Sequence, residues 1–173
     1  MRQRARSEGG FLTVELVIAV FVISIAALAL MASYTDAFLS LHSSAKTTSA
    51  GLLAENQLEL YASLPYASVG LDSSTLTTVK ASDANYSTDE AALPVSGTDV
   101  TISGCGSSAQ CSPVQTLTGS DHHSYKVETF IRLLSNPNAT GWSEKVVTVI
   151  VRDESTSGAP KVVTAQTAFD KGP

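Results

Sequence analysis

The hydrophobic pattern changes character along the chain. No charged residue lies between Glu15 and Asp36, and Leu16 to Thr35 is a run of 20 uncharged, mostly apolar positions that includes Val17, Ile18, Phe21, Ile23, Leu28 and Leu30. A helix that is apolar all round belongs in lipid or inside a helical assembly, and about 20 residues rising about 1.5 Å each match a hydrocarbon layer of roughly 30 Å. Past Asp36 the pattern becomes amphipathic. Leu53, Gln57, Leu60 and Leu64 recur at spacings of four, three and four, while Glu55 and Glu59 form a separate stripe. No proline occurs from Phe11 until Pro65, and Gly51 is the lone glycine of that interval. One helix of 53 residues, about 80 Å long, is therefore predicted from Phe11 to about Ser63. Leu64-Pro65-Tyr66 ends it, because proline disfavours helical geometry in the residue before it.

From Ser68 to Ser124 the chain is rich in Ser, Thr, Gly, Ala and Asp, with weak alternation around Thr98 to Ser103. It reads as mostly loop with a few short strands. The last third alternates clearly. Tyr125, Val127, Thr129, Ile131 and Leu133 interleave with Lys126, Glu128 and Arg132; Val147, Val149 and Val151 interleave with Val146, Thr148 and Ile150; Val163, Ala165, Thr167 and Phe169 follow. Three strands separated by the turns at 135–141 and 153–160 predict an antiparallel meander, with one sheet face packed on the amphipathic half of the helix. The expected fold class is α+β, a long N-terminal helix against a C-terminal antiparallel sheet.

Charge sharpens this picture. The 173 residues carry 11 basic and 16 acidic side chains, a net of −5, so there is no basic footprint for nucleic acid. Met1 to Gly10 holds Arg2, Arg4 and Arg6 against a single acid, Glu8. Basic residues ahead of an apolar run stay cytoplasmic, which places everything after Thr35 outside. A secretory signal peptide would have a shorter apolar region followed by an A-x-A-like cleavage site. Here the processing punctuation, Gly9-Gly10, precedes the apolar run, and Glu15 sits five positions after it. A carboxylate at the edge of a membrane segment is costly and functional by default.

Gly10-Phe11-Leu12-Thr13-Val14-Glu15 ahead of a long apolar helix resembles the class III signal of type IV prepilins and type II secretion pseudopilins. The family's commonest order has Thr before Leu after the Phe; the swap here leaves Gly10, Phe11 and Glu15 in place. A helix ending in a Leu-Pro-Tyr turn is similar to minor pilins in particular. The resemblance implies cleavage by prepilin peptidase between Gly10 and Phe11 and N-methylation of the Phe11 amine. It also implies that Glu15, then the fifth residue, neutralises the amine of a neighbouring pilin during assembly. Physics gives that role its own support, since an anion in a first helical turn is favoured by the helix dipole and an ammonium partner offsets its burial. The organisation implied is a leader over 1–10, a membrane and assembly half of the helix over 11–35, its amphipathic half over 36–64 and a β-rich head over 65–173. Loss of the leader leaves 163 residues with 8 basic and 15 acidic side chains, a net of −7. The expected protein is a structural subunit of a pilus-like or secretion filament, anchored once in the cytoplasmic membrane and then part of a surface or periplasmic filament. Its expected partners are other pilins or pseudopilins, prepilin peptidase and the membrane. A competence-system pseudopilin shares every one of these features, and a signal-anchored adhesin or ligand- or DNA-binding module is the competing class.

Cys105 and Cys111, the two cysteines, lie in a Gly/Ser-rich loop expected outside the cytoplasm and are expected to form a disulfide. The alternative, zinc, would need further ligands such as His122 and His123, which as neighbours on a strand would project to opposite faces. Asp83, Asn85, Ser87, Asp89 and Glu90 have the look of a calcium loop but lack the glycine and distal Glu of an EF-hand. Some pseudopilins bind calcium in their heads, so calcium stands beside the default of a solvated acidic loop. No G-x-S-x-G, H-E-x-x-H, P-loop or G-x-G-x-x-G occurs, and neither an enzyme nor a cofactor is expected. Trp142, Tyr61, Tyr66, Tyr86 and Tyr125 could stack on a base or sugar, but scattered aromatics are more often core or turn anchors, and the acidic charge argues against DNA.

Overall fold

The computed structural model describes residues 9–105, 108–135 and 143–171, without the side chains of residues 9–12 and 135. Met1–Glu8 of the expected leader, Asn136–Gly141 of an expected turn and Trp142 lie outside that description. Helix α1 runs Gly9–Ala62 over 54 residues. Its last turn tightens, with Leu64 N donating to Tyr61 O at 3.1 Å, before Pro65 leads into a 3-10 turn at Tyr66–Ser68.

The chain divides into two compact units, one ending at Ser44 and the other beginning at Ala45. In the first, every large apolar side chain from Val14 to Leu41 is exposed, Phe21 at 65% and Phe38 at 69%. Three of the hydroxyls scattered among them are satisfied within the helix: Ser24, Ser33 and Thr35 donate to the carbonyls of Val20, Ala29 and Met31 at 2.7, 3.0 and 3.0 Å. No polar group of these three side chains therefore needs water, which suits hydrocarbon. Among the described residues this is the one helix long and apolar enough to cross a membrane.

The second unit is built on a five-stranded sheet. Strands β5 (Ser124–Ser135), β6 (Ser143–Asp153) and β7 (Lys161–Asp170) form the antiparallel meander expected from the alternation, with Thr129 opposite Val149 and Val149 opposite Ala165. On the other side of β5, the two-residue β2 (Thr98–Asp99) pairs near its end and β4 (Val114–Thr118) pairs along its start, both antiparallel. A separate parallel pair joins β1 (Leu71–Asp72) to β3 (Thr101–Ile102).

The segment read as mostly loop between Ser68 and Ser124 contains two helices, α2 (Ser73–Ser82) and α3 (Ala84–Ala91). Their Ser- and Thr-rich sequences have weak intrinsic helix propensity, and what starts them is capping. The Asp72 carboxylate accepts from the backbone N–H groups of Ser74 and Thr75, and Asp83 does the same for Asn85 and Tyr86. Packing then holds them, through buried Leu76 on α2 and Tyr86 on α3.

On α1 the buried positions are Ser49, Ala50, Ala54, Gln57 and Tyr61, the last four again spaced four, three and four. The core stripe is thus turned from the expected one: Gln57 belongs to it, Leu53 and Leu60 flank it half-buried, and Glu55 and Glu59 are exposed as expected. The two alanines let the helix backbone approach the sheet closely, so the bulk comes from Tyr125, Val127, Ile131, Val147, Val149 and Val151.

Candidate functional site

Gly10 and Phe11 lie in the opening turn of α1, the side chain of Phe11 outside the described residues. Glu15 is exposed in the second turn, between Val14 and Leu16, which are 58% and 66% exposed. From Gly9 onward α1 has no acid in its first turn. A chain beginning at Phe11 would bring Glu15 to the end of its opening turn, where the N-terminal dipole favours an anion. Glu15 and the two residues of the expected processing signal therefore share about one and a half helical turns.

Cys105 and Cys111 are bonded to each other, their Cα atoms 6.1 Å apart. The loop they close is a fastening point. Its Ala109 carbonyl accepts from Gln57 Nε2 on α1 at 3.2 Å and from Gln115 Nε2 on β4 at 2.8 Å, while the Cys111 carbonyl accepts from Asp72 N at 2.9 Å. Both sulfurs are consumed by the bond, so the zinc alternative loses its thiolates. His122 sits exposed in the β4–β5 turn at φ 62°, and no three His, Cys, Asp or Glu side chains come together as a metal site among the described residues.

The five residues considered as a calcium loop occupy the N-cap and two turns of α3, so the solvated acidic loop is corrected to a helix docked on the sheet. Their carboxylates face cations. Asp83 pairs with Lys126; Asp89 takes Arg152 Nη2 at 2.5 Å and Lys161 Nζ at 2.6 Å; Glu90 takes Lys80 at 2.5 Å and Arg132 at 2.9 Å. Asp89 is 1% exposed and Glu128, beneath it on β5, 0%. Glu128 approaches Lys126 Nζ at 2.8 Å and Arg152 Nε at 3.3 Å. Burial pushes the Glu128 carboxyl above the usual range; burial pushes Asp89 the same way but is outweighed by Lys161 and Arg152, which hold it below. This network was not legible as such: Lys126, Glu128 and Arg132 alternate with apolar residues and read as a solvent face. The available signal was the pair of Asp N-caps ahead of Ser/Thr/Ala runs at 72 and 83.

A second polar anchor fixes α1 to the sheet within the head. Lys46 Nζ pairs with Asp153 at 2.7 Å, Ser49 and Ser120 hydroxyls lie 2.9 Å apart, and Tyr125 OH donates to Asp121 at 2.6 Å. Burial acts to raise Asp153, but Lys46 and the Ser155 and Thr156 hydroxyls hold its carboxyl well below the usual range. Lys145 is the exception to this matching of charges. Its Nζ donates to the carbonyls of Tyr66 and Val69, each at 2.7 Å, lies 4.4 Å from the Tyr66 ring centroid, and burial lowers its pKa. It caps the turn that follows α1. Tyr61, Tyr86 and Tyr125 are core residues, and burial raises the Tyr61 phenol to about 12.

Compared with known proteins, the chain matches no family model, no curated protein and no solved structure.

Proposed function

We propose that this chain is a non-enzymatic structural subunit of the minor pilin or pseudopilin type, cut after Gly10 and built into a pilus-like or secretion filament through α1. The observation that carries the reading is Glu15: a single charge beside Gly10-Phe11, on an exposed helix surface that stays uncharged up to Asp36. A carboxylate there is costly in lipid unless a cation meets it, and the new amine at Phe11 of a neighbouring subunit is a cation of the right charge at the right end of the helix. The architecture supports the same reading, a long apolar helix leading into a head with an antiparallel sheet. In this account the chain inserts once in the cytoplasmic membrane with the head outside, and its chemistry is helix packing and one charge pair.

The test is the intact mass of the protein extracted from membranes of the native host. The account predicts a chain beginning at N-methylated Phe11. A chain beginning at Met1 or Arg2 would overturn it and leave a signal-anchored surface module.

A further inference from the structure

Two of the chain's asparagines open a triplet of the form Asn-X-Ser/Thr, Asn85-Tyr86-Ser87 and Asn138-Ala139-Thr140, and the second lies outside the described residues. Such a triplet, with any residue but proline in the middle, is the acceptor pattern for N-linked sugar. Asn85 stands in the first turn of α3, where the Asp83 carboxylate caps its N–H and that of Tyr86. Its side chain is exposed, whereas Tyr86 beside it is 1% exposed and stacks on Phe130. Asparagine is a poor helix former, and the Asn85 carboxamide makes no hydrogen bond among the described residues, so α3 draws no stability from it. The space beside it is open and polar. Asn85 borders a hollow of about 530 Å³ whose other lining is the turn between β6 and β7, including Glu154, Thr156 and Ser157. A sugar carried on Asn85 enters that hollow without displacing a buried side chain.

We propose that Asn85 is an N-glycosylation site, modified before the head folds. In the transfer, Asn85 Nδ2 forms a bond to the anomeric carbon of a sugar carried on a lipid pyrophosphate. The bond from that carbon to the phosphate oxygen breaks, the lipid pyrophosphate leaves with the electron pair, and the amide proton passes to a base of the transferase. The fold sets the order of events. Once α3 has formed, the triplet is helical, Tyr86 is in the core, and Ser87 Oγ donates to the Lys80 carbonyl at 2.9 Å. An enzyme that must hold the Asn side chain and the Ser hydroxyl together in an extended chain therefore meets them only before α3 docks. In the finished head the sugar is borne on the helical layer, across the sheet from the part of α1 that packs on it, where a bulky polar group keeps that side of the head in water.

The proposal rests on one part of the reading above, that the head is outside the cytoplasm, and cleavage and Glu15 do not enter its test. Trypsin cuts after Lys80 and Lys126, so residues 81–126 leave as one peptide carrying Asn85 and both cysteines. In protein taken from membranes of the native host with thiols blocked and no reductant, a Cys105–Cys111 bond in that peptide marks export to an oxidising compartment. The disulfide-bonded peptide is expected to exceed the mass of its sequence by one or more sugar residues. In a second aliquot the sugar is expected to survive alkaline β-elimination, which strips sugars from Ser and Thr. Asn85→Gln and Ser87→Ala are each expected to remove the added mass and Ser87→Thr to keep it, with the disulfide present in all three. A disulfide-bonded peptide of unmodified mass, or added mass that persists in Asn85→Gln, would overturn the proposal. Free thiols throughout would overturn the extracytoplasmic placement of the head and the proposal with it.

Discussion

The central strands β5 and β6 bury both of their faces, and the two faces are held by different physics. Toward α1 lie Tyr125, Val127, Thr129, Ile131, Val147, Val149 and Val151, packed on Ala50, Ala54 and Tyr61. Toward α2 and α3 lie Lys126, Glu128, Phe130, Arg132, Ile150 and Arg152, covered by Asp83, Tyr86, Asp89 and Glu90. The first face is close-packed hydrocarbon with polar fastenings at its rim. The second has one aromatic stack, Tyr86 on Phe130 with centroids 4.4 Å apart, inside a mesh of ion pairs. Such a mesh is stabilising only while complete, because a buried charge that loses its partner retains its full desolvation cost. The helical layer is therefore fixed in register by charge, and α1 by shape.

The largest expected effect is on the charged face. Arg152→Ala takes one of two cationic partners from each of the buried Asp89 and Glu128, leaving them Lys161 and Lys126, and is expected to cost about 3–5 kcal/mol, read from the denaturant midpoint of the full-length protein. On the apolar face Ile131→Val is expected to cost only about 0.5–1.5 kcal/mol. If the two costs came out in the reverse order, the contrast between the faces would fail. Next comes the disulfide. Replacing Cys105 and Cys111 by serine is expected to cost about 2 kcal/mol, the chain-entropy value for so short a loop, and to loosen Gln57 and Gln115 in amide exchange. At the small end, Glu59→Gln on the exposed side of α1 is expected to change stability by less than about 0.5 kcal/mol.

Titration separates Glu128 on the charged face from Asp153 on the α1 face by sign. Glu128 has a raised pKa in the fold, so between its ordinary value and that raised value the folded state holds the proton more tightly, and stability falls as pH rises through the window. Asp153, on the α1 face, is lowered; its contribution is complete above the ordinary Asp range and is lost as pH falls through its folded value. Glu128→Gln should remove the first slope and leave the second, and Asp153→Asn the reverse, in stability curves measured across acid to neutral pH.

The same contrast explains what could be read in advance. The apolar run, the absence of proline before Pro65 and the alternation from Tyr125 to Phe169 specify α1 and the meander, because each element buries a periodic surface. Lys126, Glu128 and Arg132 carry that periodicity too, but a strand whose charged positions are neutralised by a distant helix looks like a strand facing water. The small Ala50 and Ala54 hide in the same way, since a leucine stripe draws the eye to Leu53 and Leu60 while the close approach is made by alanine. α2 and α3 depend on Asp72 and Asp83 as caps and on tertiary contacts of Leu76 and Tyr86, neither of which is a periodic signal. Glu15 is legible as a lone charge in an apolar setting, whereas its proposed cation belongs to another subunit and leaves no mark in this chain.

The account's central claim is that Glu15 serves assembly and not processing or folding. The most direct measurement compares Glu15→Ala with the unaltered protein in the native host, scoring both the cleaved N-terminus in membranes and the amount of the subunit in sheared filaments. The predicted result is normal cleavage before Phe11 with markedly reduced incorporation. Incorporation of the cleaved variant at the normal level would contradict the charge-pair mechanism.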